Sequence, residues 1–179
     1  MKQLIVHMDD RSTDFLSDIY KDIRGCTVVR HTTPARELNK LIESHDRVVM
    51  LGHGSPGGLF DREGGFVIGD DNVEALKGKE NIYIWCHASM FVRDKGLKGF
   101  STGMFISEVS EARYCGVSTM DDAQEEIAES NRSFAELVRS RITEPTSMIY
   151  ECAFNNYTTS GMYDSEVIRY NHCRLELFT

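Results

Sequence analysis

The chain of 179 residues, 41% hydrophobic and 27% charged, is long enough to bury a core without disulfides or metals, and its length fits one domain spanning residues 1–179. A formal net charge of −8 opposes a phosphate backbone, and no stripe of Lys and Arg interleaved with aromatics offsets it, so nucleic acid is not an expected partner. No stretch approaches the roughly 18 uninterrupted apolar residues of a membrane span, so no membrane partner is expected either.

In chain order, apolar runs alternate with amphipathic ones. "MKQLIVHMDD" has a short apolar run before two aspartates, which reads as a first strand and not as a leader. "STDFLSDIYKDI" reads as a helix, "CTVVRH" as the second strand, "PARELNKLIES" as a helix and "RVVMLG" as the third strand. A glycine loop and "NVEALKGK" lead to "NIYIWC", the fourth strand, followed by the helical "STGMFISEVSEA". "RYCGVST" then reads as the fifth strand, "DDAQEEIAESNRSFAELVRSRI" as a long helix and "SEVIRYNHCRLELF" as a sixth strand.

Capping signals agree with this division. Ser12, Pro34 and Asp121 stand where first turns begin, and Gly25 and Gly78 stand just past helix ends. Strands alternating with helices predict an α/β three-layer sandwich of about six mostly parallel strands covered on both faces. The least regular stretches, residues 54–65, 89–100 and 155–165, are predicted to be mobile loops.

The five cysteines, Cys26, Cys86, Cys115, Cys152 and Cys173, are odd in number and show no CxxC spacing. That argues against a disulfide framework and a zinc ribbon, and a reducing cytoplasm is the expected compartment.

Two apolar runs end on chemically useful side chains, at His53 and at Cys86. In an open parallel sheet, such residues gather beyond the carboxyl ends of the strands. The separation of the two is close to one βαβ unit of roughly 30 residues, which makes their strands neighbours about 4.8 Å apart. An imidazole beside a thiol can take its proton as sulfur attacks a carbonyl. Gly54, lacking a side chain, can bring its N–H close to a tetrahedral oxyanion, with the N–H of Cys86 as a second donor. On spacing alone, a buried structural cysteine and a plain "GHG" turn fit equally well.

"GHGSPGG" after one strand and "CHAS" after the next resemble the caspase-like (clan CD) cysteine peptidases, which include metacaspases, legumain, gingipains, separase and CHAT-domain proteases. "WCHAS" is similar to the metacaspase motif around the nucleophile, and "FSTGMFISEVSEARYCGVS" is similar to the stretch that follows it in CHAT domains. The resemblance covers residues 4–118 and implies a caspase-like fold with His53 as general base and Cys86 as nucleophile. It implies a peptide or protein substrate and no metal or other cofactor. Metacaspases carry an aspartate two residues before the nucleophile, and here that position is Ile84. The fold's remaining pocket positions, the tips of the first and fifth strands, hold Asp9, Asp10, Asp121 and Asp122, which would favour a basic P1 side chain. Arg93, Lys95 and Lys98 fall where relatives are cut during activation.

Other constellations are weaker. "GFSTG" matches G-x-S-x-G at Ser101 and is followed by Asp164 and His172, but no apolar strand precedes it, and Ser101 reads better as a helix N-cap. "GHGSPGG" lacks the Lys and Ser/Thr of a phosphate loop. His87 reads as a loop residue, His7, His31, His45 and His172 as surface or edge residues, and Trp85 as packing. The reading is therefore a cysteine endopeptidase with a Cys86–His53 dyad. The alternative is a caspase-fold binding or regulatory module that keeps the dyad without using it, and behind it stands a Ser101 α/β-hydrolase.

Overall fold

The computed structural model describes residues 1–119, 122–158 and 165–179. The chain runs from β1 (Gln3–His7) through a 3-10 helix (Arg11–Ile19), β2 (Thr27–Val29) and α1 (Ala35–Glu43) to β3 (Arg47–Leu51). A small antiparallel unit follows, made of β4 (Gly54–Ser55), β5 (Gly58–Phe60) and β6 (Phe66–Ile68), and then α2 (Val73–Leu76). Next come β7 (Asn81–Ile84), α3 (Ala88–Asp94), β8 (Gly99–Thr102), α4 (Val109–Tyr114), α5 (Ala123–Arg141), α6 (Thr146–Asn156), α7 (Glu166–His172) and β9 (Leu175–Phe178).

The middle layer is a six-stranded sheet in the order β2-β1-β3-β7-β8-β9, parallel throughout except for β9 against β8. β1, β3 and β7 are buried along their whole length because helices cover both sides, which is why they read as near-continuous apolar runs. Ile5, Val49, Leu51, Ile82 and Ile84 pack under the 3-10 helix, α5 and α6, with Leu16, Phe134 and Ile149. The alternate residues Leu4, Val6, Val48, Met50 and Trp85 pack on the other side against Leu38, Leu59 and Phe91. The three-layer α/β expectation holds. None of the described helices is long and apolar enough to cross a membrane.

Several elements differ from the sequence expectation. The fifth strand is β8, which spans the end of the stretch expected to be a loop and the start of the expected helix, while "RYC" closes α4. Gly116, with φ of 65°, ends that helix in a left-handed turn, in which Val117 N–H donates to the Ala112 carbonyl at 3.0 Å. Ser101 thus lies within a buried strand and not at a helix N-terminus. The expected sixth strand is a helix followed by a strand. Ser165 Oγ accepts the Ile168 N–H at 3.1 Å and starts α7, and only residues from Leu175 onward pair with β8.

Residues 54–65 are no open loop, because Gly54 pairs with Leu59 and Ser55 with Gly58 in a hairpin. Residues 89–100 are likewise ordered, with Arg93 on α3 bonded to Glu176 at 2.8 Å and Lys95 bonded to Asp70 at 2.6 Å. Of residues 155–165, the stretch 159–164, Asp164 included, lies outside the described residues.

Candidate active site

Register places the two candidate residues side by side. Val49 pairs with Ile82 and Leu51 with Ile84 in the parallel β3–β7 pair, and Gly52 N–H donates to the Ile84 carbonyl at 3.1 Å, carrying the pairing past the strand ends. His53 and Cys86 are therefore each two residues beyond one cross-strand pair, in phase with the side of the sheet covered by the 3-10 helix. Both line one cavity of about 20 Å³, together with Thr13, Gly52, Phe105 and Ser107. That space admits a single water.

His53 has a partner that the sequence did not single out. Its Nε2 lies 2.7 Å from Ser12 Oγ. The Ser12 hydroxyl in turn donates to Asp10 Oδ1 at 2.5 Å, and Ser12 N–H donates to the same oxygen at 2.9 Å. The hydrogen bonds from the Ser12 hydroxyl and backbone hold the Asp10 carboxyl below the usual carboxylate range, so Asp10 is an acceptor. A hydroxyl has one proton, and here it goes to Asp10. Ser12 Oγ must then accept from His53 Nε2–H, so in the neutral ring the lone pair is on Nδ1. "DDRS" contains this device, but only the 3-10 turn N-capped by Asp10 brings Ser12 to His53.

The surroundings of Cys86 are of another kind. Its thiol is within reach of the Phe105 carbonyl at 3.6 Å and Glu111 Oε1 at 3.7 Å. Burial first, and then the Glu111 charge, push the thiol from its ordinary 9.0 up to about 12. Cys86 is thus a neutral thiol at physiological pH in this conformation. Glu111 could not be found from spacing, since it reaches the site from α4 on the far side of β8 in sequence.

The residues around Cys86 form a taut turn. His87 has φ of 67°, the one positive value at a non-glycine among the described residues, and its N–H donates to the Gly103 carbonyl at 3.0 Å. Trp85 Nε1 donates to the Ser55 carbonyl at 3.0 Å, and Thr102 Oγ1 donates to the Trp85 carbonyl at 3.0 Å. Cys86 is tied on both sides, to the hairpin that carries Gly54 and to β8.

Gly54 is glycine for a steric reason. A Cβ there would sit 2.1 Å from Trp85 Cδ1 and 2.6 Å from the Gly58 carbonyl. Phe60 N–H donates to the His53 carbonyl at 2.8 Å, which makes 53/60 a bonded pair and 54/59 the alternating non-bonded pair. The Gly54 N–H consequently points away from β5.

The three described aspartates, Asp9, Asp10 and Asp122, do not form one pocket. Asp9 is hydrogen-bonded to Arg30 Nε, and Arg30 also donates to the Tyr20 hydroxyl at 3.1 Å, so the Asp9 charge is matched. Asp10 lines an opening of about 250 Å³ beside His53, with Met8, Thr13, Phe60 and Arg62. It continues into a wider depression of about 660 Å³ where Asp9, Asp14, Arg30 and Asp61 gather. Asp122 caps α5, accepting the Glu125 N–H at 3.0 Å, and lies at no strand tip because the fifth strand is β8. Asp121 lies outside the described residues.

Of the remaining histidines, His7 is buried in β1 and not at the surface, bonded to Tyr20 Oη at 3.0 Å and Thr13 Oγ1 at 3.4 Å. β1 lies between β2 and β3, which removes any edge for it to occupy. His172 Nε2 is bonded to the Phe154 carbonyl at 2.7 Å. Among the described residues, no group of three or more His, Cys, Asp and Glu is placed to hold a metal ion.

No protein-family model and no curated protein matches the chain. Among solved structures, the RcsB response regulator of Salmonella typhimurium is similar at 13% identity over 97% of this chain and 98% of its own, with a TM-score of 0.35. A TM-score at that level carries neither fold nor function across.

Proposed function

We propose that the chain is a caspase-like cysteine peptidase acting through Cys86 and His53. The observation that carries this reading is the register of β3 and β7, which sets the imidazole and the thiol on one level of the sheet and on one cavity. The Ser12 contact adds a second support, because with Nε2–H committed to Ser12, Nδ1 is the nitrogen through which the ring can act as a base.

In this mechanism, Cys86 Sγ bonds to the carbonyl carbon of a peptide as its proton passes to His53 Nδ1. The carbonyl oxygen becomes an oxyanion facing the N–H groups of Gly54 and Cys86. The C–N bond then breaks, the amine leaves with the proton from His53, and water hydrolyses the thioester. The substrate chain would lie along the groove past Asp10 and Asp61, whose carboxylates suit a Lys or Arg side chain. Asp9 does not contribute to this preference, since Arg30 matches its charge.

Incubation with a peptide library, in wild type, Cys86→Ala and His53→Ala, tests the proposal. Cleavage lost in both variants is the expected result, and cleavage that survives in Cys86→Ala overturns it. One observation favours a second reading, a binding or regulatory module: the thiol faces the Phe105 carbonyl and the Glu111 carboxylate, with space for one water beside it. A chain that cleaves no member of the library is the outcome which that reading expects.

A further inference from the structure

We propose that Glu111 is a latch on Cys86: its carboxylate holds the thiol protonated against residues 105–111, and the sulfur becomes reactive when that contact is broken. The inference rests on reading Cys86 as the reactive residue of this site.

A carboxylate at this distance would be unremarkable if it could swing away. Glu111 cannot do so freely. Its Oε2 accepts from Ser107 N–H at 2.7 Å, Ser107 Oγ at 3.0 Å and Glu108 N–H at 3.1 Å, which closes the N-terminal box of α4. The stretch that supplies those donors is itself clamped. Asn171 Oδ1 accepts the Ile106 N–H at 2.7 Å, Asn171 Nδ2 donates to the Ile106 carbonyl at 2.9 Å, and Asn131 Nδ2 donates to the Ser107 carbonyl at 3.0 Å. With one oxygen committed to the backbone, the other is fixed opposite Cys86 Sγ.

An ionised carboxylate only accepts hydrogen bonds, so the contact exists only while sulfur keeps its proton, and a thiolate there would face a like charge. The groups facing Cys86 are Glu111 from α4, Cys115 just beyond that helix, and His53 across the cavity. Loss of the proton is opposed by the first two. The stretch that holds Glu111 also limits space, because Phe105 and Ser107 are part of the lining of the cavity of about 20 Å³. A peptide carbonyl does not fit the present space, and widening it on the Phe105–Ser107 side pulls Glu111 off the thiol. Access and activation are therefore one movement.

Alkylation by iodoacetamide reads the thiolate directly: sulfur bonds to the methylene carbon, iodide leaves and the thiol proton goes to solvent. The rate at Cys86 would be followed by peptide mass spectrometry in the full chain, wild type and Glu111→Gln, from neutral to alkaline pH. The expected result is that wild-type Cys86 reacts at least about tenfold more slowly than the exposed Cys173 at neutral pH, and that Glu111→Gln speeds Cys86 about tenfold. Equal rates at Cys86 and Cys173 in the wild type overturn the latch, and that comparison needs no folded variant. An unchanged Cys86 rate in a Glu111→Gln chain that melts like the wild type also overturns it. Neither rate involves peptide hydrolysis. The expected pattern in a chain that cleaves no peptide keeps the latch and removes the peptidase reading, and cleavage by a chain without the pattern does the reverse.

Discussion

His53 Nε2 lies 2.7 Å from Ser12 Oγ, and the Ser12 hydroxyl is already committed to Asp10, so the imidazole proton sits on Nε2. Ser12→Ala removes the acceptor and frees the ring to change tautomer and rotate. The expected outcome is loss of the single Nε2–H form in isotope-edited NMR of the His53 ring and a fall of about tenfold in any Cys86-dependent turnover, with Ser12→Thr restoring both. A ring that keeps its tautomer in Ser12→Ala would remove Ser12 from the orienting role.

Gly54 and Trp85 touch so closely that no side chain fits between them. Gly54→Ala would place a methyl 2.1 Å from Trp85 Cδ1. The rigid ring can yield only by moving the hairpin off the sheet, an overpacking cost of about 3 kcal/mol, or a drop in melting temperature of roughly 10 °C. Trp85 is the one tryptophan in the chain, so its fluorescence would report the shift without ambiguity. An unchanged emission spectrum and melting point would show that the hairpin is not held as described.

Burial holds His7 neutral and lowers its pKa from 6.5 to about 4, with the Arg30 charge acting in the same direction. Between those values the unfolded chain binds a proton that the folded chain refuses, so the stability conferred by neutral His7 is lost as pH falls from about 6.5 to about 4. The loss amounts to about 3 kcal/mol at most. Asp9, Asp10 and Glu80 have lowered pKa values and contribute their own losses as pH falls through the ordinary carboxylate range, which meets this window at its lower end. Urea titrations across the window should show the decline in wild type and a flatter profile in His7→Gln. Matching profiles would dismiss His7 as the cause.

Asn171 joins α7 to the turn that faces Cys86. Besides Ile106, its amide donates to the Tyr157 hydroxyl at 3.2 Å, and all three residues are fully buried. Asn171→Leu leaves the Ile106 N–H and carbonyl without their partner, at a cost of about 3 kcal/mol. Because that turn also positions Glu111, faster hydrogen exchange at residues 105–111 and faster alkylation of Cys86 should accompany the loss. Destabilisation with exchange unchanged over those residues would separate Asn171 from the Cys86 turn.

The strands that carry the site were legible in the sequence because a parallel strand buried on both faces must be apolar throughout, and "RVVML" and "NIYI" have no other use. The positions of His53 and Cys86 past those strands followed from the same runs. Helix α5 was legible from its length and its charged ends. Where local signals compete, the sequence was insufficient. "GFST" has one aromatic and a glycine, and it becomes β8 because Phe100 fills the space beside Ile82 and β9 pairs on its other side. "SEVIRYNH" is as apolar as a strand, but the Ser165 cap and the burial of Val167, Ile168 and Asn171 along one face make it a helix. The electrostatic character of the site was decided wholly by tertiary structure. Hydrogen bonds from His53 to Ser12 and from Cys86 to Glu111 join residues 41 and 25 positions apart. No periodicity encodes such meetings, because they depend on how helices close over the sheet edge, and that closure determines which proton each side chain keeps.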